Sequence, residues 1–223
     1  MSNGIQAVIW DLDGVIIDSA DEHRQAWQRL AREEGIVMTD ADFWATFGRR
    51  NDDIFAALWG EMPAERMKAL ADRKELYFRE IIRDSAAPLP GSIELMRGLH
   101  DAGFAQALAS STPSENIQLI SEVLGLKRYL SILVSGETVA RGKPAPDIFL
   151  KAAAELHMDP TVCLVIEDAV AGVEAAHAAR MRCIAVAGNR DLPGLRKAEL
   201  MVKDLTQVDV ERVRQLGQRT FHA

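Results

Sequence analysis

Residues 5–19 read IQAVIWDLDGVIIDS. An apolar run from Ile5 to Trp10 ends in two aspartates flanking one leucine, and Gly14 follows at once. Apolar runs feed cores, and a carboxylate at the end of one is costly to bury. Asp11 and Asp13 must therefore emerge at the surface end of the run, bind a cation, or do both.

Four more short runs rich in Val, Ile, Leu and Ala follow along the chain: FAQALAS (104–110), SILVS (131–135), TVCLVI (161–166) and RCIAVA (182–187). They read as near-continuous apolar strands, the pattern of a parallel sheet covered on both faces. Helical patterns separate them. SIELMRGLHDAG places Leu95, Met96 and Leu99 on one face and stops at Gly103. Thr112-Pro113-Ser114-Glu115 reads as a capping box with proline in the first turn, leading into Ile117, Ile120 and Leu124. DIFLKAAAELH carries Ile148, Phe149, Ala152 and Leu156 at helical spacing. The expected fold is α/β with a doubly wound, Rossmann-like parallel sheet.

Residues 19–86 differ. His23, Ala26, Trp27 and Leu30 recur at helical spacing, AERMKALADRKELYFREII is a long helical candidate, and no strand pattern stands out. This reads as an all-helical cap (19–86) inserted into an α/β core (1–18 and 87–223), with PLPG at 88–91 marking the return.

The 223 residues carry 26 basic and 33 acidic side chains, a net charge of −7 without a basic block, which argues against nucleic acid or an anionic membrane as partner. Cys163 and Cys183 each sit inside an apolar run and read as small buried hydrophobes, with neither a disulfide framework nor a zinc site. The N-terminus lacks the basic and apolar regions of a signal peptide, and no segment reaches membrane-spanning length. A cytoplasmic monomer is expected.

In open α/β sheets ligands bind beyond the carboxyl ends of the strands. The first expected strand ends in Asp11-Leu12-Asp13-Gly14, the second in Ser110-Ser111-Thr112, the fourth in Glu167-Asp168, and Lys143 follows the third. Carboxylates, hydroxyls and one ammonium thus share an edge. Mg²⁺ takes oxygen ligands, and phosphate oxygens take a lysine and hydrogen-bond donors, so the set suits a metal and a phosphoryl group.

DLDGVIIDS, LASST, GKPAPDIF and VIEDAVAGVEAA resemble, in order, the four motifs of the haloacid dehalogenase superfamily, in its helical-cap subgroup around β-phosphoglucomutase and the sugar-phosphate phosphatases. The resemblance implies that Asp11 is a nucleophile phosphorylated during the reaction and that Asp13 is a general acid and base. It implies Mg²⁺ held by Asp11, Asp168 and Asp13 (through its backbone carbonyl), with Glu167 supporting the metal site. Ser110, Ser111 and Lys143 would grip phosphoryl oxygens. Asp13 favours phosphoryl transfer over dehalogenation, because an alkoxide leaving group benefits from an acid and a halide does not. Trp10 stands where the family more often has phenylalanine.

The cap residues divide between two reactions. His23 and Lys74 resemble the mutase pattern. Three residues after Gly48, where mutases place a phosphate-binding arginine, stands Asn51, and Arg49 and Arg50 come earlier, nearer to phosphatase spacing. The expectation is hydrolysis of a small phosphorylated metabolite. A phosphohexose mutase is the alternative within the family, and a phospho-acceptor signalling module is the alternative outside it.

Overall fold

The computed structural model describes residues 4–46, 50–189 and 192–218. Six strands form one parallel sheet: β1 (Ala7–Trp10), β2 (Ala105–Ser110), β3 (Ile132–Ser135), β4 (Cys163–Glu167), β5 (Arg182–Val186) and β6 (Leu200–Val202). Their order is β3-β2-β1-β4-β5-β6. The first five are the runs named above. The edge strand β6 was not anticipated: it is three residues long, and Met201 at its centre is exposed.

Side chains alternate across a pleated strand, and the core divides accordingly. Val8, Trp10, Leu108, Leu164 and Ile166 enter one apolar cluster; Ala7, Ile9, Ala107, Ala109, Cys163 and Val165 enter another. The first face is covered by α5 (Ser92–Asp101), α6 (Ser114–Val123) and α9 (Val210–Gln218), through residues such as Leu95, Met96, Leu99, Ile117, Ile120 and Leu216. The second is covered by α7 (Asp147–Glu155) and α8 (Val170–Ala178), through Ile148, Phe149, Ala152 and Val173. Trp10 adds an indole N–H to the interior. Gln106 on the neighbouring strand accepts it at 2.9 Å and donates in turn to the Met96 carbonyl at 3.0 Å, so the buried polar atom is satisfied. Both cysteine thiols are buried, and burial pushes Cys163 up to about 12 and Cys183 well above the ordinary value, as suits packed, unreactive thiols.

Between β1 and α5 the described residues hold helices α1 (Ala20–Glu33), α2 (Asp40–Thr46), α3 (Asn51–Trp59) and α4 (Ala64–Ser85), and no strand. Trp27, Phe55 and Trp59 meet edge to face there, with ring centroids 5.0–6.3 Å apart. The chain returns beside its own departure point: Ile17 bridges Pro88, and the Leu89 N–H donates to the Ile16 carbonyl at 2.7 Å.

Gly91 then opens α5 at φ +83°, where a Cβ would stand 2.3 Å from the Leu205 carbonyl carbon and the Thr206 nitrogen. Neither backbone can yield without shifting the return segment. Gly91→Ala is expected to lower the unfolding free energy by about 2 kcal/mol or more, read by urea denaturation.

Candidate active site

Beyond β1 the chain runs to β2 on one side and later to β4 on the other, so the crevice between β1 and β4 is the sheet's topological switch point. Asp11 follows β1 directly and Glu167 ends β4, with Asp168 next. These carboxylates line a cavity of about 670 Å³ with Asp13, Ser110, Ser111, Thr112 and Lys143, and with His23, Arg50, Asn51, Lys74 and Glu75 from the helical segment. The structure therefore brings together every sequence-expected site residue among those it describes. Gly48 and Arg49 lie outside the described residues.

Two glycines make room for the acids. Gly14 turns the chain at φ +80°, and a Cβ there would stand 2.0 Å from the Asp168 Oδ2. A Cβ on Gly172 would stand 1.9 Å from the Glu167 carboxyl group. Gly172 belongs to the quoted fourth motif, but only the packing exposes its purpose.

Asp11 is 6% exposed. Burial pushes its carboxyl well above the usual range, the facing Lys143 pulls it back, and Glu167, Asp168 and Asp13 push it further up. Lys143 Nζ donates to Asp11 Oδ1 at 2.6 Å and to Glu167 Oε1 at 2.5 Å. Burial alone would lower the lysine pKa; the two carboxylates override it and hold the ammonium above its ordinary value. Glu167 Oε2 accepts the backbone N–H groups of Asp168 and Ala169 at 2.7 and 2.6 Å. Both Glu167 oxygens are thus engaged by the protein, which makes it a support for Lys143 and the turn at Asp168.

Asp13 has different company. Thr112 donates to its Oδ2 at 2.5 Å, Ser19 donates to its Oδ1, and His23 Nε2 lies 3.9 Å from Oδ1. The Thr112 contact corrects the capping-box expectation. The box pattern is present, but Thr112 turns its hydroxyl to Asp13, the first N–H of α6, at Ser114, goes to Glu137 Oε2 at 2.9 Å instead, and Glu115 pairs with Arg79 at 2.9 Å. Ser110 is buried, and its hydroxyl accepts the Thr112 N–H at 3.2 Å; Ser111 is half-buried at the cavity wall.

His23 stacks on Phe78, with ring centroids 3.9 Å apart, and its Nδ1 lies 2.8 Å from Lys74 Nζ. An ammonium has no lone pair, so Nδ1 accepts and the ring proton sits on Nε2, toward Asp13. Burial and the Lys74 charge lower the His23 pKa to about 4 against the pull of Asp13 and Glu75, so the ring is neutral at neutral pH. Lys74 is 1% exposed and also donates to Glu75 at 2.8 Å. Asn51 donates to the same Glu75 at 2.8 Å. Arg50 is exposed at the cavity wall, its stem beside Gly142. Sequence reasoning missed Ser19, Glu75 and Gly172. Ser19 closes the first motif; Glu75 carries no motif signal.

The acidic donors at the crevice are oxygens, with Glu167, Asp168 and Asp13 near Asp11, and the Gly14 notch lets Asp168 lie against the turn that bears the Asp13 carbonyl. Such a set fits a hard divalent cation such as Mg²⁺. Among the described residues no three His, Cys, Asp or Glu side chains already surround one point. The oxygens that the resemblance assigns to the metal are those of Asp11, Asp168 and the Asp13 backbone carbonyl.

Removing the ammonium would leave Asp11 and Glu167 facing each other in a buried site. Lys143→Met is expected to lower stability at pH 7 by about 3 kcal/mol. The deficit shrinks as pH falls and the Asp11 carboxyl, already pushed up by burial, takes up a proton, and denaturant melts at pH 7 and pH 5 test both parts.

A haloacid dehalogenase-like hydrolase family matches residues 5–180. A chloroplastic 5-amino-6-(5-phospho-D-ribitylamino)uracil phosphatase of Arabidopsis thaliana is 31% identical over 97% of this chain, which spans 59% of that relative's length. The β-phosphoglucomutase of Bacillus subtilis is 33% identical over 93% of both chains. The crystal structure of a β-phosphoglucomutase from Clostridium difficile, 27% identical, superposes with a TM-score of 0.85 over 96% of this chain and 97% of that one. No described helix is long and apolar enough to cross a membrane. With its parallel core, its four ordered motifs and these matches, the chain belongs to the haloacid dehalogenase-like hydrolases and is an enzyme.

Proposed function

We propose that this enzyme hydrolyses the phosphate monoester of a small metabolite, such as a sugar phosphate, by way of phosphorylated Asp11. The observation that carries the reading is the unequal treatment of two aspartates two residues apart. Asp11 is buried against an ammonium, whereas Asp13 is surrounded by two hydroxyl donors and a neutral histidine. Unequal surroundings of this kind divide paired carboxylates into a nucleophile and an acid–base.

In the first half-reaction an Asp11 oxygen bonds to phosphorus as the ester P–O bond breaks, and Asp13 gives its proton to the departing oxygen. In the second, Asp13 takes a proton from water, the water oxygen bonds to phosphorus, and the Asp11–phosphorus link breaks to release inorganic phosphate. Lys143 eases the repulsion between carboxylate and phosphoryl group, and Ser110, Ser111 and nearby backbone N–H groups bind its oxygens. Asp11, Asp168 and the Asp13 carbonyl would hold Mg²⁺, which would supply positive charge against the phosphoryl oxygens. Residues 19–86 serve as a cap over a core of 1–18 and 87–223, and a cavity of about 670 Å³ suits a small metabolite.

The mutase reading is favoured by the contact of Lys74 with His23 beside Asp13 and by the similarity to β-phosphoglucomutases. Against it, the position three after Gly48 is Asn51, an uncharged amide that donates to Glu75 and brings no positive charge to a second phosphate. The signalling-module alternative falls with the family match to a hydrolase.

Asp11→Asn is expected to keep the fold and lose turnover by at least about 10³-fold, read by phosphate release; retention of wild-type rate refutes the nucleophile. Chelation by EDTA should abolish activity and added Mg²⁺ restore it. Phosphorus NMR with Mg²⁺, β-glucose 1-phosphate and a trace of glucose 1,6-bisphosphate separates the two reactions. Inorganic phosphate is the expected product, and a wider panel of sugar phosphates then ranks substrates. Conversion to glucose 6-phosphate with little free phosphate means a mutase.

A further inference from the structure

Glu75 is the most heavily engaged side chain of α4 that the mechanism above leaves without a task. It is 5% exposed and accepts three hydrogen bonds: from Asn51 and Lys74 on Oε1, both at 2.8 Å, and from Asn116 on Oε2 at 2.6 Å. Burial would raise its pKa, but the Lys74 charge, reinforced by His23 and the hydrogen bonds from Lys74 and Asn51, brings it down to about 2. Three of its roughly four lone-pair sites are directed at protein donors, so it reads poorly as a substrate ligand.

Its partners lie on both sides of the cavity. Asn116 is fully buried near the start of α6, in the core. Arg79 donates to Asn116 Oδ1 at 3.0 Å, which orients the amide so that its NH₂ group faces Glu75. Four residues earlier, Thr112 holds Asp13 Oδ2. From the other side Lys74 connects Glu75 to His23, which faces Asp13 Oδ1. The contacts close a ring: Asp13, Thr112, the first turn of α6, Asn116, Glu75, Lys74, His23 and back to Asp13.

We infer that Glu75 is a positioning residue: docked on Asn116, it seats Lys74 against His23 and so holds Asp13 in place as the acid only while α4 lies against α6. The inference rests on the reading of Asp13 as general acid. A ring that spans the cavity couples the acid to closure, and excluding water before the proton moves is what such coupling achieves.

The donor pattern dictates the test. In Glu75→Gln an NH₂ group would face the NH₂ group of Asn116, while the shape of the side chain is kept. The double change E75Q/N116D reverses the pair: the new amide donates to the new carboxylate, Arg79 retains an acceptor, and Lys74 and Asn51 keep an oxygen. An acid matters to an alkyl ester, which leaves as an alkoxide, and little to a nitrophenyl ester. The quantity kcat/KM reports the steps up to release of the alcohol.

For E75Q, kcat/KM with an alkyl phosphate (β-glucose 1-phosphate or the best substrate of the panel) is expected to fall about tenfold or more beyond any fall with p-nitrophenyl phosphate. The double change should recover most of the alkyl-ester loss. An alkyl rate that holds, equal losses on both esters, or a double variant no better than the single one overturns the inference. Where E75Q does not fold by thermal melt, N116A breaks the same contact from the core side without touching Lys74, and must show the same ester-selective loss. A wild type that hydrolyses neither ester refutes the phosphatase reading itself, an outcome distinct from any of these.

Discussion

The contact of Asp11 with Lys143 is the constraint around which the rest is arranged. A carboxylate at the end of a fully buried strand is unfavourable by itself, and an ammonium at 2.6 Å offsets the loss of water. Lys143 comes from the segment between β3 and α7, so the contact joins β1 to chain that follows the far edge strand of its half of the sheet. Glu167 at the end of β4 shares the same ammonium, and Gly172 must lack a side chain for Glu167 to lie where it does. The parallel order β3-β2-β1-β4 is what lets three distant segments, after β1, after β3 and at the end of β4, meet at this one charge.

Beside this fixed point the second aspartate sits in a softer setting. Asp13 is held by hydroxyls and faced by a histidine that stays neutral, all groups that give or take a hydrogen bond without imposing a full charge. Asp11 thus faces a full positive charge, and Asp13 faces only neutral hydrogen-bonding groups. The helical segment contributes to the second and not to the first. His23, Lys74 and Glu75 come from α1 and α4, whereas Lys143 and Glu167 belong to the sheet edge.

Much of this was legible in the chain itself. Five of the six strands are continuous apolar runs, because a parallel sheet covered on both faces needs no polar alternation, and the carboxyl-end rule then gathers Asp11, Asp13, Ser110, Lys143, Glu167 and Asp168 at one edge. β6 escaped because three residues with an exposed Met201 carry too little pattern. Thr112 was misread because a threonine three residues before a glutamate satisfies a local rule, and only the approach of Asp13, 99 residues away, overrides it. Lys74 has the look of a lysine free to reach a ligand, yet it is buried by Trp27, Phe78 and its bond to Glu75. Contacts made across the cavity leave no periodic trace, which is why the side of the site built from α1 and α4 was the less readable half.

The central claim is that the phosphoryl group passes through Asp11, and trapping that species tests it most directly. Enzyme mixed with substrate and Mg²⁺ is quenched within the first turnover and reduced with borohydride, which converts an aspartyl phosphate to homoserine, and the peptides are read by mass spectrometry. Homoserine at position 11 alone is the predicted result. Homoserine at position 13 or 168, or none at all while phosphate is being released at full rate, would contradict the account.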